Sequence, residues 1–213
     1  MNTALCPAAS ASGWPPCTEG SSRGVCDVER CTYAIRIFDS IHLIRLGARV
    51  SLAEKLTGLE KKTLKRIYRQ LRGCPSPPGQ LPFSDAWFLE NDQRQFHTTL
   101  VWHLHRRLSQ SGRRPARILV DVFEVYTRLT REPMLNLTRT AFAIQLFSSG
   151  LWNEHRCSFC DTAFPAPVES RQTACPGCRL YFRYRCRHCG AALSPKSRGI
   201  RRKRCPQCGG ALD

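Results

Sequence analysis

Apolar side chains recur at helical spacing over much of the chain. From Thr32, the residues Ile37, Phe38, Ile41 and Ile44 fall three or four apart, and Gly47 interrupts near the end, which predicts a first amphipathic helix. Ser51-x-x-Glu54 and Thr57-x-x-Glu60 each place a hydroxyl three residues ahead of a carboxylate. That is the capping-box pattern, and it predicts two short helices starting there. The second carries Leu64, Ile67, Tyr68 and Leu71 on one face, while Lys61, Lys62, Lys65, Arg66, Arg69 and Arg72 cover the remainder. Gly73-Cys-Pro-Ser-Pro-Pro-Gly79 ends that helix, because proline removes backbone donors and restricts the residue before it. Leu81-Pro-Phe-Ser-Asp-Ala-Trp-Phe88 is expected as an ordered loop crossing the core on its aromatic side chains. Three more amphipathic stripes follow: Phe96, Leu100, Leu104 and Leu108; Ile118, Val122, Tyr126 and Leu129; then Leu137, Ala141, Ile144 and Leu151. Pro115 suits a first helical turn, the Gly112 and Pro133 neighbourhoods supply turns, and no strand pattern is expected before Cys157.

The pattern changes at the cysteines. The chain reads Cys157-x2-Cys160-x14-Cys175-x2-Cys178, then seven residues, then Cys186-x2-Cys189-x15-Cys205-x2-Cys208. A two-residue turn points two thiolates at one tetrahedral ion and a second turn closes the shell, so each run of four reads as a structural Zn2+ site with no position left for water. The two runs read as an internal repeat, and sequential pairing is expected over a compact site built from the middle four. Gly190 and Gly209 follow knuckles directly, where a positive φ is often required. Arg156, Arg179, Arg185, Arg187 and Arg204 flank the ligands. Cations there would favour the thiolate, or else face solvent or phosphate.

The fold class expected is mainly α: a flexible extension over residues 1–31, a helical domain over 32–152, then zinc-ribbon-like four-cysteine modules over 153–182 and 183–213. Within the helical domain, Ser51 to Arg72 forms a loose helix-turn-helix with Gly58 near its turn. Cys6, Cys17, Cys26 and Cys31 in the extension are irregularly spaced and suggest no metal site.

Charge turns this scaffold towards a polyanion. With 213 residues, a formal net charge of +17 and a pI near 9.8, nucleic acid is favoured over membrane. Spanning a bilayer takes roughly 20 apolar residues, and the best run, Arg117 to Phe123, is broken by Asp121. The first basic residue is Arg23, behind an Ala-, Ser- and Pro-rich stretch, which argues against a secretory leader. Paired cysteines then imply a reducing compartment, the cytoplasm. The residues expected on DNA are Lys61, Lys62, Lys65, Arg66 and Arg69 on the basic helix and Arg201, Arg202, Lys203 and Arg204 between the last two knuckles. No catalytic residues are expected: His97, His103 and His105 form no HExxH, and neither a G-x-S-x-G nor a Walker loop occurs.

Leu46-Gly-Ala-Arg49, Tyr68-Arg-Gln-Leu-Arg-Gly73, Pro77-Pro78, Leu81-Pro-Phe-Ser84 with Trp87-Phe88, Leu137-Thr-Arg139 and Ser149-Gly-Leu151 appear in this order. Together with Cys157, Cys160, Cys175 and Cys178 they resemble the FlhC family, the flagellar transcriptional regulator subunit of bacteria, over roughly residues 33–180. The resemblance implies a mostly helical protein with one zinc site on those four cysteines. It further implies a heterohexamer with FlhD that binds promoter DNA and activates transcription with RNA polymerase. It does not extend to Cys186, Cys189, Cys205 and Cys208, where a second zinc rests on spacing. The rival expectation is a zinc-ribbon adaptor that binds RNA or docks on polymerase without reading DNA sequence itself.

Overall fold

The computed structural model describes residues 28–193 and 203–212. The extension up to residue 27, with Cys6, Cys17 and Cys26, and the basic residues Arg201 and Arg202 lie outside the described residues. Eight α-helices and one two-stranded sheet are described: α1 Val28–Arg45, α2 Val50–Thr57, α3 Lys61–Arg72, α4 Ala86–Leu89, α5 Asp92–Leu108, α6 Pro115–Leu129, α7 Leu137–Ser148, β1 Trp152–Arg156, β2 Ala163–Pro167 and α8 Pro176–Phe182. They divide into two compact units. One takes in the chain up to Phe83 together with His103–Ile144, and the other Ser84–Trp102 together with the chain from Gln145 onward.

In the first unit, α1, α2 and α3 pack on one another, and α6 packs on α1 and α2. Two clusters form the core. Ile44, Val50, Ala53, Leu59, Leu64, Ile67 and Tyr68 hold the first three helices together, and Leu43, Ala48, Leu52, Leu119, Val120 and Leu137 join them to α6 and α7. The apolar face read on α3 is the buried one. Helix α1 begins at Val28, ahead of the expected Thr32, and Gly47 follows its end at φ 98°. Arg72 closes that end, donating to the carbonyl of Ile44 (2.8 Å), which also accepts the Gly47 amide (3.0 Å), and to that of Arg45 (3.0 Å). The buried Asp39 on α1 receives Nε and Nη2 of Arg114, which precedes α6, at 3.0 and 3.3 Å. The phenol of Tyr126, fully buried, accepts the Leu135 amide at 3.1 Å and so fixes the turn after α6.

Neither capping box forms. Helix α2 starts at Val50 with Arg49 at its N-cap, which places Ser51 inside the first turn. Glu60 is itself the N-cap of α3. Thr57 ends α2 instead: its hydroxyl donates to the Ala53 carbonyl (2.7 Å) and accepts the Leu59 amide. Burial of Leu59 sets this register, because shifting either start would turn that anchor out of the core. Between the two helices Gly58 takes the left-handed conformation, φ 65°, and its amide closes on the Glu54 carbonyl at 2.9 Å.

The second unit is built round aromatic and polar anchors. Phe88 is 1% exposed and meets Trp152 edge-on at 6.2 Å, and the Trp152 indole donates to Asp85 at 2.8 Å. A strand does precede Cys157, contrary to expectation: β1 pairs antiparallel with β2, Trp152 opposite Pro167 and Arg156 opposite Ala163. On α5 the residues buried are Gln95, Thr98, Thr99, Val101 and Trp102, whereas Phe96, expected inside, is exposed. The threonines are accommodated because their hydroxyls return to the carbonyls of Arg94 and Gln95.

Candidate metal centres and nucleic-acid face

The eight cysteines sort into two sets, Cys157, Cys160, Cys175 and Cys178, and Cys186, Cys189, Cys205 and Cys208. The sulfurs within each set all lie within 4.8 Å of one another. This is the sequential grouping rather than a site made of the middle four. Cys160 and Cys175 stand 3.7 Å apart, as do Cys186 and Cys208, and Cys189 and Cys205. Four sulfurs about 2.3 Å from one ion at tetrahedral corners have edges of about 3.8 Å, whereas a disulfide brings sulfurs to about 2.05 Å. The donor set and spacing therefore fit Zn2+, and no disulfide joins the described cysteines.

Local backbone chemistry delivers three of the four sulfur pairs in the same way. In the knuckle at Cys157 the Asp161 amide returns to the Cys157 carbonyl (2.9 Å), and the Cys157 amide donates to the Thr162 carbonyl (3.1 Å). The knuckles at Cys186 and Cys205 repeat both bonds, through Gly190 and Ala191 and through Gly209 and Gly210. The turn needs a left-handed residue after its second cysteine. Gly190 at φ 73° and Gly209 at φ 69° meet this, as anticipated, and Asp161 takes the same conformation at φ 56°. Its carboxylate pairs with Arg156 at 2.9 Å. The fourth pair is built differently, on the start of α8: Cys175 is the N-cap and its sulfur accepts the Cys178 amide at 3.3 Å. The first set thus rests on a hairpin knuckle and a helix start, and the second on two knuckles with bridges Arg185–Ala192 and Arg204–Ala211. The repeat in the sequence is a repeat of ligand spacing more than of backbone.

Amides do much of the electrostatic work. Burial pushes the Cys157 thiol up, but the amides of Cys175, Cys160 and Phe159 outweigh it and hold the group at about 6. The amides of Cys208 and Gln207 bring Cys205 down to about 6 in the same way. Burial raises Cys175 and Cys178, and neighbouring sulfurs add to the rise at Cys178. At Cys189 the Ala191 amide works downward, and desolvation with the Cys208, Cys205 and Cys186 sulfurs carries it up to about 12. Thr162, through its hydroxyl and its amide, also lowers Cys160. The fold alone thus favours the thiolate at Cys157 and Cys160 in the first set and at Cys205 in the second, while full ionisation of each set calls for a cation. Among the described residues none of the five flanking arginines donates to a cysteine sulfur. Arg179 donates to Asp92 (2.7 Å), Gln172 (2.9 Å), the Ala174 carbonyl (2.7 Å) and Gln95, which ties α8 to α5. Gln95 in turn donates to Gln172 at 2.9 Å. Nothing in the sequence pattern marks Gln95, Gln172 and Asp92 as partners of this arginine.

The basic helix forms the second half of a helix-turn-helix, and Lys61, Lys62, Lys65, Arg66 and Arg69 are all exposed on it. Among the described residues none of the five has an acidic partner. Lys61, Lys65 and Arg69, spaced by four along α3, line a cleft of about 390 Å³ with Val50 and Ser51 at the start of α2 and the Pro75–Gly79 loop. Ser76 accepts the Val50 amide at 3.2 Å and Arg49 donates to the Pro78 carbonyl at 3.4 Å, which holds the loop as the cleft's far wall. Lys203 and Arg204 are exposed on the last knuckle.

The sequence model of the family described as Flagellar transcriptional activator (FlhC) matches residues 31–192. The chain belongs to the FlhC family. Flagellar transcriptional regulators FlhC from three bacteria illustrate the likeness. That of Enterobacter cloacae is 32% identical over 60% of this chain and 69% of its own length. That of Paraburkholderia atlantica is 34% identical over 63% and 64%, and that of Erwinia tasmaniensis 31% identical over 64% and 79%. The chain is thus a member of a transcription-activator family of flagellar biogenesis. The FlhC match takes in the first four cysteines, Cys186 and Cys189 but stops short of Cys205 and Cys208. Among the described residues no helix is long and apolar enough to cross a membrane.

Proposed function

We propose that this FlhC-family chain is the DNA-contacting subunit of a cytoplasmic activator complex with an FlhD-like partner, acting at flagellar promoters with RNA polymerase. Two Zn2+ ions, each closed in by four thiolates, are structural in this reading, and the chain performs no catalysis. The observation that carries it is the α3 face: five exposed cations with no carboxylate partners among the described residues, on the second helix of a helix-turn-helix. Cations left unpaired by the protein are available to phosphates, and their spacing by four repeats every ~6 Å along the helix. Lys203 and Arg204 supply a second contact from the last knuckle, and Arg201 and Arg202, adjacent to them in the sequence, are proposed to add to it. The partner is supported by exposed apolar side chains on the first unit, Tyr33 and Phe38 on α1 and Leu129 at the end of α6, the kind of surface that association covers.

The test is a salt titration of promoter binding by the copurified complex. Each phosphate contact adds about 0.9 to the slope of log affinity against log salt. Changing Lys61, Lys65 and Arg69 together to Gln should flatten the slope by roughly 2 to 3. An unaltered slope, or tighter binding of RNA hairpins than of promoter duplex at matched salt, would refute the assignment.

A further inference from the structure

From the end of the first thiol set into the start of the second the chain runs Tyr181-Phe-Arg-Tyr-Arg-Cys-Arg187, rings interspersed with guanidinium groups. Folding brings Tyr181, Phe182 and Arg185 together with Phe159 and Arg187, and pairs Arg183 with Tyr184 within the same stretch of chain. Phe159, from the first knuckle, packs on Phe182 with ring centres 5.4 Å apart, and Tyr181 meets Phe182 edge-on at 5.1 Å. Arg187 lies over Phe159 at 5.5 Å, Arg185 over Tyr181 at 5.2 Å and Arg183 over Tyr184 at 5.7 Å. Despite these contacts the rings remain in water: Phe159 is 42% exposed, Tyr181 57% and Tyr184 59%.

Neither metal binding nor packing accounts for this surface. The sulfurs are supported by backbone amides, and the three arginines donate to none of them. Burying the rings would be favourable by roughly 25 cal/mol per Å², so three rings left half in water are a surface awaiting cover. The charge around them narrows what covers it. From Ser170 to Leu212 the sequence has no Asp or Glu and eleven Lys and Arg, which still exceed the formal charge of −2 that each zinc tetrathiolate would carry. The occupant must therefore be polyanionic and must also present flat apolar faces. A duplex hides its base faces in the stack. An unpaired strand offers both, because bases stack on aromatic rings and guanidinium planes while arginines meet the intervening phosphates.

We propose that Phe159, Tyr181 and Tyr184, with Arg183, Arg185 and Arg187, form a platform for single-stranded DNA. Of unpaired strands, DNA is the one a transcription activator meets where a promoter opens. This goes beyond the duplex contact assigned to α3 and uses different residues.

The experiment measures fluorescence anisotropy of labelled (dT)20, (U)20 and a 20-bp duplex with the zinc-loaded full chain and its partner. The wild-type complex is expected to bind (dT)20 tighter than (U)20. The double variant Y181A/Y184A should lose about tenfold or more in (dT)20 affinity while duplex affinity is kept, and Y181F/Y184F, which retains the rings, should bind as wild type. Should Y181A/Y184A lose zinc, Y181L/Y184L decides the matter: it keeps apolar bulk without a π face, and weakened (dT)20 binding at full zinc content supports the platform. Lys61, Lys65 and Arg69 changed to Gln should weaken duplex binding and spare (dT)20, which separates failure of this inference from failure of the α3 assignment. Wild-type (dT)20 affinity in the ring-deleted variants, or a preference for (U)20, overturns the proposal.

Discussion

Replacing Arg179 by Met would remove the cation that joins α8 to α5. Its guanidinium makes four hydrogen bonds, to Asp92, Gln95, Gln172 and the Ala174 carbonyl, and its side chain is 21% exposed against 35% for Asp92. Breaking a fully buried charge pair costs about 3–5 kcal/mol by stranding the remaining partner, and water reaching Asp92 lowers that here to roughly 2–3 kcal/mol. Since about 1.4 kcal/mol is a factor of ten, the opening equilibrium of the cysteine-rich unit should rise roughly 30- to 150-fold. Cys175 and Cys178 sit at the start of the helix that Arg179 anchors, so zinc from the first set should pass to an excess of a colorimetric chelator faster by a similar factor. Arg179→Lys keeps the charge but not the planar fork, and should fall between. Changing Asp92 to Leu alongside Arg179→Met removes the stranded carboxylate and should restore part of the loss. Zinc transfer from Arg179→Met within twofold of wild type would refute the reasoning, and so would a double variant worse than the sum of the single ones.

Gly209→Ala should destabilise the second cysteine set by about 1–2 kcal/mol, since a Cβ there meets nothing within 4 Å and the whole cost lies in φ 69°; chelator competition reads it as a selective weakening of one zinc. Tyr126→Phe should cost about 1–3 kcal/mol in urea unfolding, because the buried Leu135 amide loses its acceptor. Zinc should be held at pH 8 and released as pH falls. Cys157 and Cys205, held at about 6 against an ordinary value of about 8.5, lose their thiolate stabilisation as pH drops through that interval, and below about 6 protons compete directly with the metal. By the same logic, loading zinc at pH 7 should release fewer than four protons per ion in a weakly buffered titration, because at least one thiol of each set, Cys157 and Cys205, is already largely ionised.

How far the sequence could be read depended on whether a residue's role is set locally. The face of α3 was legible because Leu64, Ile67, Tyr68 and Leu71 follow the helical period and every other position is polar. The sulfur sets were legible because the two-residue spacing itself builds the knuckle, down to the glycines at 190 and 209. Roles set from elsewhere in the fold were missed. The stripe through Phe96 misjudged α5 because Gln95 is buried by its bonds to Gln172 and Arg179, far along the chain, and Thr98 and Thr99 satisfy themselves on the helix backbone. Strand β1 reads Trp-Asn-Glu-His-Arg, too polar to announce a strand, and its partner carries Pro165 and Pro167, tolerated because each strand of a lone hairpin is an edge. The capping boxes had the right spacing, but burial of Leu59 set a register that no short motif encodes.

The zinc count decides whether both sulfur sets are metal centres. Zinc per chain, counted on reduced protein purified without chelator, should be two, with X-ray absorption giving four sulfurs at about 2.3 Å round each ion and Cys205→Ser lowering the count to one. One zinc per chain in the unaltered protein, or nitrogen and oxygen in the shell, would contradict the two closed thiolate centres on which this account of the cysteine-rich unit stands.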